Sequence, residues 1–156
     1  MELDEIIYTA LMDDEALKTL CGWQAETESS EEVPARILST CIEVSPMDED
    51  NTPIPYIIIA EEPSQNDQGT KDSTWESGVD IVNVGVLVCG ESPKQVKLMR
   101  RMVRAAINGY VVEMVSSERP YLCSRSDDGI AWDWTKPCYH DTLHYQCEVD
   151  ANIYND

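Results

Sequence analysis

The stretch that most constrains how this chain folds runs from Val79 to Tyr110. Val79, Ile81, Val82, Val84, Val86, Leu87 and Val88 form a β-branched, mostly alternating run long enough for the central strand of a sheet. Gly90 ends that run, and Ser92-Pro93 then opens a helix with a capping serine and a proline at the first helical position. On a helical wheel Val96, Met99, Met102, Val103, Ala106, Ile107 and Tyr110 share one broad face, while Lys94, Lys97, Arg100, Arg101 and Arg104 crowd into roughly a third of the circumference. The first face is expected to pack on the sheet. The second is a basic ridge, which is either a solvated face or a contact surface for something acidic.

That ridge stands out against the rest of the chain, which carries a net charge of −19 over 156 residues. So negative a balance argues against general nucleic-acid binding, because phosphate contacts need a broad positive footprint, and against an anionic membrane surface. The charge is also uneven. Residues 1–78 hold nineteen Asp and Glu against Lys18, Arg36 and Lys71, whereas residues 79–156 hold eleven acids against eight bases. Such asymmetry suits head-to-tail assembly, an acidic edge of one copy meeting the basic ridge of the next, and it equally suits plain solubility.

The length is that of one domain over residues 1–156, with a composition typical of soluble globular proteins. The opening Met-Glu-Leu-Asp-Glu has neither the basic nor the apolar region of a secretory signal, and no apolar run reaches a membrane span. Cys21, Cys41, Cys89, Cys123, Cys138 and Cys147 show no paired spacing, so reduced, buried thiols are expected rather than a disulfide scaffold.

Taken in order, Leu3, Ile6, Ile7, Ala10 and Leu11 recur at helical spacing, and Asp13-Asp14 caps a second short turn through Leu17 and Leu20 that Gly22 closes. Residues 23–34, with Glu26, Glu28, Glu31 and Glu32, are expected to be a mobile polar loop. Ala35 to Val44 is a strand candidate, and Pro46 to Pro53 is a second acidic loop without the glycine and distal glutamate of a calcium site. Pro55 to Ala60 predicts a strand buried on both faces, and residues 61–78 a long polar loop containing Trp75. Trp75 either folds back as a lid on its own sheet or docks into a neighbour.

Beyond the basic helix, Val111, Val112, Met114 and Val115 suggest an edge strand or extended link. Tyr121 to Arg125 and Ile130 to Thr135 flank a turn, Ser126-Asp127-Asp128-Gly129, that predicts a hairpin. Trp132 and Trp134 would share a face of its second strand, and Asp141 to Val149 alternates as a final strand, so residues 120–156 form a C-terminal hairpin and strand. The element order points to an α+β fold with a largely antiparallel sheet and helices packed against it.

Chemistry is harder to find. Cys138, His140 and His144 would share a face of an extended segment and could supply three zinc ligands, yet along one strand they spread over more than ~13 Å, too far for one ion without a bulge or turn. Glycine-rich phosphate loops, nucleophile elbows and helical HExxH are all absent from the sequence. No catalytic, cofactor or metal residue is assigned, and a small metal-dependent enzyme is the weakest of three readings. The others are a structural subunit that associates with itself and an adaptor or other non-catalytic binding module.

At residues 55–107 these features fall into a familiar order: Pro-Tyr-Ile-Ile-Ile at 55–59, Gly-Thr-Lys-Asp at 69–72, Trp-Glu at 75–76, the valine-rich strand from Val79, and a helix with Leu98-Met99 and Val103-Arg104-Ala105-Ala106-Ile107. With Ala35-Arg36-Ile37 before it, this layout resembles the tail completion or tail terminator proteins of long-tailed bacteriophages and prophages. The likeness covers the middle third of the chain and, loosely, the first; the segment after Pro120 has no counterpart in it. The resemblance implies a virion structural protein, made in the host cytoplasm, that forms a ring, commonly a hexamer, on the head-proximal end of the tail tube. There it would end tube growth and meet the head connector, with the major tail tube protein as its other partner and DNA passing through the lumen without specific binding. The resemblance points to Gly69, Thr70, Lys71, Asp72 and Trp75 as contacts with a neighbouring subunit or the tube. The charge pattern adds Lys97, Arg101 and Arg104, facing the acidic loops near Glu31 and Asp48 of the next copy.

Overall fold

The structure, a computed structural model, describes residues 3–39, 53–67, 79–115, 121–134 and 137–150. Its elements are α1 (Leu3–Met12), α2 (Glu15–Leu20), β1 (Ile37–Ser39), β2 (Tyr56–Asp67), β3 (Val79–Gly90), α3 (Pro93–Val115), β4 (Tyr121–Asp127), β5 (Ala131–Asp133) and β6 (Cys138–Asp150). The strands form one sheet in the order β1-β2-β3-β6-β4, with β5 also paired to β6. Among the described residues only the β1–β2 pairing is parallel. The fold is α+β, as the element order predicts.

The valine run is the central strand, pairing along its whole length with β6 from Val79↔Asp150 to Gly90↔Tyr139. Its alternation sends Val84, Val86 and Val88 into the main core together with Ile57, Ile59, Leu143 and Tyr145, while Leu87 and Cys89 point to the other face, beside Tyr56, Ile58 and Cys138. All three helices share the first core. Leu3, Ile7 and Leu11 of α1, Leu17 of α2, and Val96, Met99, Val103 and Ile107 of α3 are buried there, so the helices cover one face of the sheet. Among the described residues no helix is long and apolar enough to cross a membrane. Cys21, Cys89 and Cys138 are buried as thiols, and burial pushes the Cys21 thiol up to about 12 against the opposing pull of Arg36.

The caps form as the sequence predicts. Asp14 accepts a hydrogen bond from the Leu17 amide at 3.0 Å, and Ser92 Oγ accepts one from the Gln95 amide at 3.1 Å. Gln95 Oε1 in turn accepts from the Glu91 amide at 2.7 Å, which fixes the sharp passage from β3 into α3.

Four boundaries differ from the expectation. Residues 61–67 are not loop: they extend β2 and pair with β3 through a bulge between Glu62 and Gln65, because a ladder needs backbone partners and not apolar side chains. Residues 111–115 continue α3, since a helix already running adds one hydrogen bond per residue and overrides the strand preference of valine. Residues 23–33 form an ordered hairpin, described below. Finally, β4 and β5 do not pair with each other; both pair with β6. Asp127 opposes Leu143 and Ala131 opposes His140, so four steps on one side span three on the other, and Asp128 N–H still donates to Thr142 O at 3.1 Å. The glycine of the expected turn is present at a φ of 83°, but it sits in a bulge rather than at a reversal of direction. Of the strand candidate at 35–44, only Ile37–Ser39 is a described strand; residues 40–44 and the acidic loop before Pro53 lie outside the described residues.

Candidate functional site

The basic ridge of α3 divides in two. Arg100 and Arg104 turn toward the sheet and are held by their own chain: Arg100 Nη1 donates to Asp141 Oδ2 at 2.9 Å, and Arg104 Nη2 donates to Asp127 Oδ2 at 2.6 Å. Asp141 is fully buried, and its other oxygen accepts the Asp128 amide at 3.1 Å. This is an internal charge network that fastens α3 to the β4–β5 edge. A buried carboxylate needs such partners, since unpaired it would cost several kcal/mol.

Lys94, Lys97 and Arg101 are different. They lie on the outer side of the helix, exposed, and none has a carboxylate within ion-pair distance among the described residues. Leu98, also exposed, sits among them. Of the three ridge residues singled out from the sequence as contacts, Lys97 and Arg101 are therefore available to another molecule, whereas Arg104 is already engaged by Asp127. The loop contacts Gly69, Thr70, Lys71, Asp72 and Trp75 lie outside the described residues.

An acidic counterpart is built beside the β1 edge of the sheet. Gln24 and Val33 exchange backbone hydrogen bonds at 3.0 and 2.9 Å, and Thr27 and Ser30 do so at 2.9 and 3.3 Å, closing a hairpin around Glu28-Ser29. Trp23 braces its base. The indole N–H donates to Glu32 Oε1 at 2.8 Å, and the Lys18 ammonium lies over the ring, 4.2 Å from its centroid. Glu26, Glu28 and Glu31 remain exposed on this hairpin with no partner among the described residues. No local propensity reveals this order, because the brace joins residues five and nine positions apart through side chains.

A second feature absent from the sequence reading occupies the sheet face away from the helices. Glu62 on β2 reaches across β3 to His144 on β6, with both carboxylate oxygens near Nδ1 at 2.8 and 3.0 Å, while Nε2 meets Asp128 Oδ1 at 2.8 Å. Gly85 leaves room beneath this reach: a Cβ there would lie 3.2 Å from Glu62 Oε1 and 3.3 Å from the Thr142 methyl, a tight fit that would displace them slightly. The hydrogen bond to Glu62 raises the His144 pKa above its ordinary 6.5, against the opposing pull of burial, and the hydrogen bond to Asp128 adds to the rise. The two carboxylates address opposite ring nitrogens and so cannot share one ion with the imidazole. Cys138 lies in the apolar cluster with Tyr56, Ile58 and Cys89. Among the described residues no three His, Cys, Asp or Glu side chains are placed to hold a metal ion.

The paired tryptophans stand at the outer edge. Trp132 packs edge-to-face on Tyr139, with centroids 4.7 Å apart, and Trp134 packs on Trp132 at 6.1 Å. Trp134 is 88% exposed. A side chain of this size left so open is a natural anchor for a partner.

No protein-family profile matches the chain, and no curated protein matches it. Solved structures do match. One is a chain of the virion of a native gene transfer agent particle, with a TM-score of 0.48 and 11% identity, covering 96% of this chain and 95% of that one.

Proposed function

We propose that the chain is a non-catalytic structural subunit of the phage-tail terminator type, which associates with copies of itself into a ring at the head-proximal end of a tail tube. The observation that carries this reading is the outer strip of α3. Lys94, Lys97 and Arg101 stand exposed and unengaged among the described residues of a protein whose net charge is −19. Three cations beside an exposed leucine, in a chain with thirty acids, make a surface suited to an acidic protein partner. The order of segments from Pro55 to Ile107, similar to that of tail terminators, supports the same reading.

In this arrangement the major tail tube protein meets one side of the ring and the head connector the other, with DNA passing through without specific contacts. The Gly69–Trp75 segment joins the contact with a neighbour or the tube, and Trp75→Ala is expected to impair assembly while leaving the fold intact. Sedimentation velocity on the purified protein tests the core of the reading. The expected result is a concentration-dependent oligomer that dissociates as salt rises from 0.05 to about 0.5 M, over which range the Debye length falls to a few ångströms. A monomer at every concentration and salt, with and without tail tubes present, would overturn it.

A further inference from the structure

The two exposed charged surfaces differ in sign, and the elements that carry them meet the same end of the sheet. The acidic hairpin leads directly into β1, the first strand of the order, where Arg36 N–H donates to Cys21 O at 2.8 Å and Ile57 N–H donates to Arg36 O at 2.9 Å. That is the end at which β2 begins. Because β3 runs antiparallel to β2, it is also the end at which β3 finishes, α3 starts, and β5 pairs with the first residues of β6. The hairpin and the basic first turns of α3 therefore adjoin the same end of the sheet.

The exposed apolar side chains follow the same division. Of the large hydrophobic residues that are exposed among those described, Val33 belongs to the acidic hairpin and Leu98 to the basic strip of α3, while Trp132 and Trp134 stand at the β5 edge. Each charged surface thus carries an apolar element of its own, the pattern of an interface with a hydrophobic centre and a charged rim.

We propose that the hairpin of one copy, presenting Glu26, Glu28 and Glu31 beside Val33, seats on the Lys94–Lys97–Arg101 face of α3 in the next copy, with Trp134 as an anchor at its edge. The partner is a second copy of this chain because the chain itself holds both halves of the match. The contact rests on the self-association proposed above and says where that association occurs. Two unlike surfaces on one chain make a heterologous contact, which closes into a ring when the rotation between successive copies completes a turn without rise. The hairpin is already fixed by the Trp23 brace, so little ordering is required when it docks.

A charge-swap experiment tests this directly. One variant carries Glu26→Lys, Glu28→Lys and Glu31→Lys; the other carries Lys94→Glu, Lys97→Glu and Arg101→Glu. All six sites are exposed, and circular dichroism verifies that both variants fold. Each variant alone places like charge on like charge and is expected to sediment as a monomer where the wild type is assembled. An equimolar mixture restores both contacts with alternating copies and is expected to recover oligomers. Trp134→Ser in the wild-type background is expected to weaken assembly roughly tenfold. If the wild type assembles and either charge variant also assembles alone, or if the mixture fails to recover, the contact lies elsewhere and this inference is wrong while self-association stands. A wild type that never associates removes both.

Discussion

His144 is flanked by a carboxylate at each ring nitrogen, and only the imidazolium form donates to both at once. Its folded-state pKa is raised, so the stabilisation it brings is fully present below its ordinary value of 6.5 and is lost as pH climbs through the folded value. We therefore expect the stability difference between wild type and His144→Gln to be largest between about pH 5 and 6.5 and to shrink above that, as measured by urea unfolding across pH. Glu62→Gln should bring the His144 titration, followed by NMR, back toward 6.5. Gly85→Ala should move it in the same direction by a smaller amount, because a Cβ 3.2 Å from Glu62 Oε1 pushes the carboxylate slightly aside. A His144 midpoint unchanged in both variants would show that the bridge is not what perturbs it. At Asp141 the logic is that of a buried charge. Arg100→Leu leaves this carboxylate without its cation and is expected to cost about 3 kcal/mol, and adding Asp141→Asn should recover part of the loss because the uncompensated charge is gone. Equal losses in the single and double variants would contradict that account.

At the scale of elements, what could be read from the sequence depended on whether the deciding interactions were local. The Val79–Gly90 strand and the start of α3 at Pro93 are encoded by near neighbours: β-branched alternation, Gly90, and the Ser92–Gln95 cap. The buried face of α3, with Val96, Met99, Val103 and Ile107, follows equally from spacing. By contrast, the division of the basic ridge depends on Asp141 and Asp127, which lie 41 and 23 positions from their arginine partners, so no wheel could separate Arg100 and Arg104 from Lys97 and Arg101. The 23–33 hairpin was equally hidden. Its residues lack strand preference, and its order comes from Trp23, Lys18 and Glu32 meeting in space. A prediction belongs here: Trp23→Ala should loosen the hairpin, seen as faster amide exchange at Gln24 and Val33, with little change at core strands. Amide protection at these two positions equal to wild type would mean the hairpin holds without its brace. Asp128-Gly129 suits a bulge as well as a hairpin turn, and the choice is made at a distance, by Asp128 pairing with β6.

For the whole molecule, charge distribution is the property that links structure to role. The acidic excess of the first half is displayed partly on a braced hairpin, and the cations of the second half are partly neutralised within the fold and partly left on its surface. The internal pairs of Arg100 and Arg104 fasten the helix that presents Lys94, Lys97 and Arg101, so the network and the exposed strip serve one architecture. Electrostatic matching of this kind selects partner and register more than it adds raw affinity, which suits the self-association proposed above. The most direct test of self-association into a closed structure is mass photometry of the wild-type protein at low salt over a range of concentrations. Closed rings predict one oligomeric mass, a fixed multiple of the 17.6 kDa chain, that gains population but not size as concentration rises. A ladder of ever larger masses, or the monomer alone throughout, would contradict it.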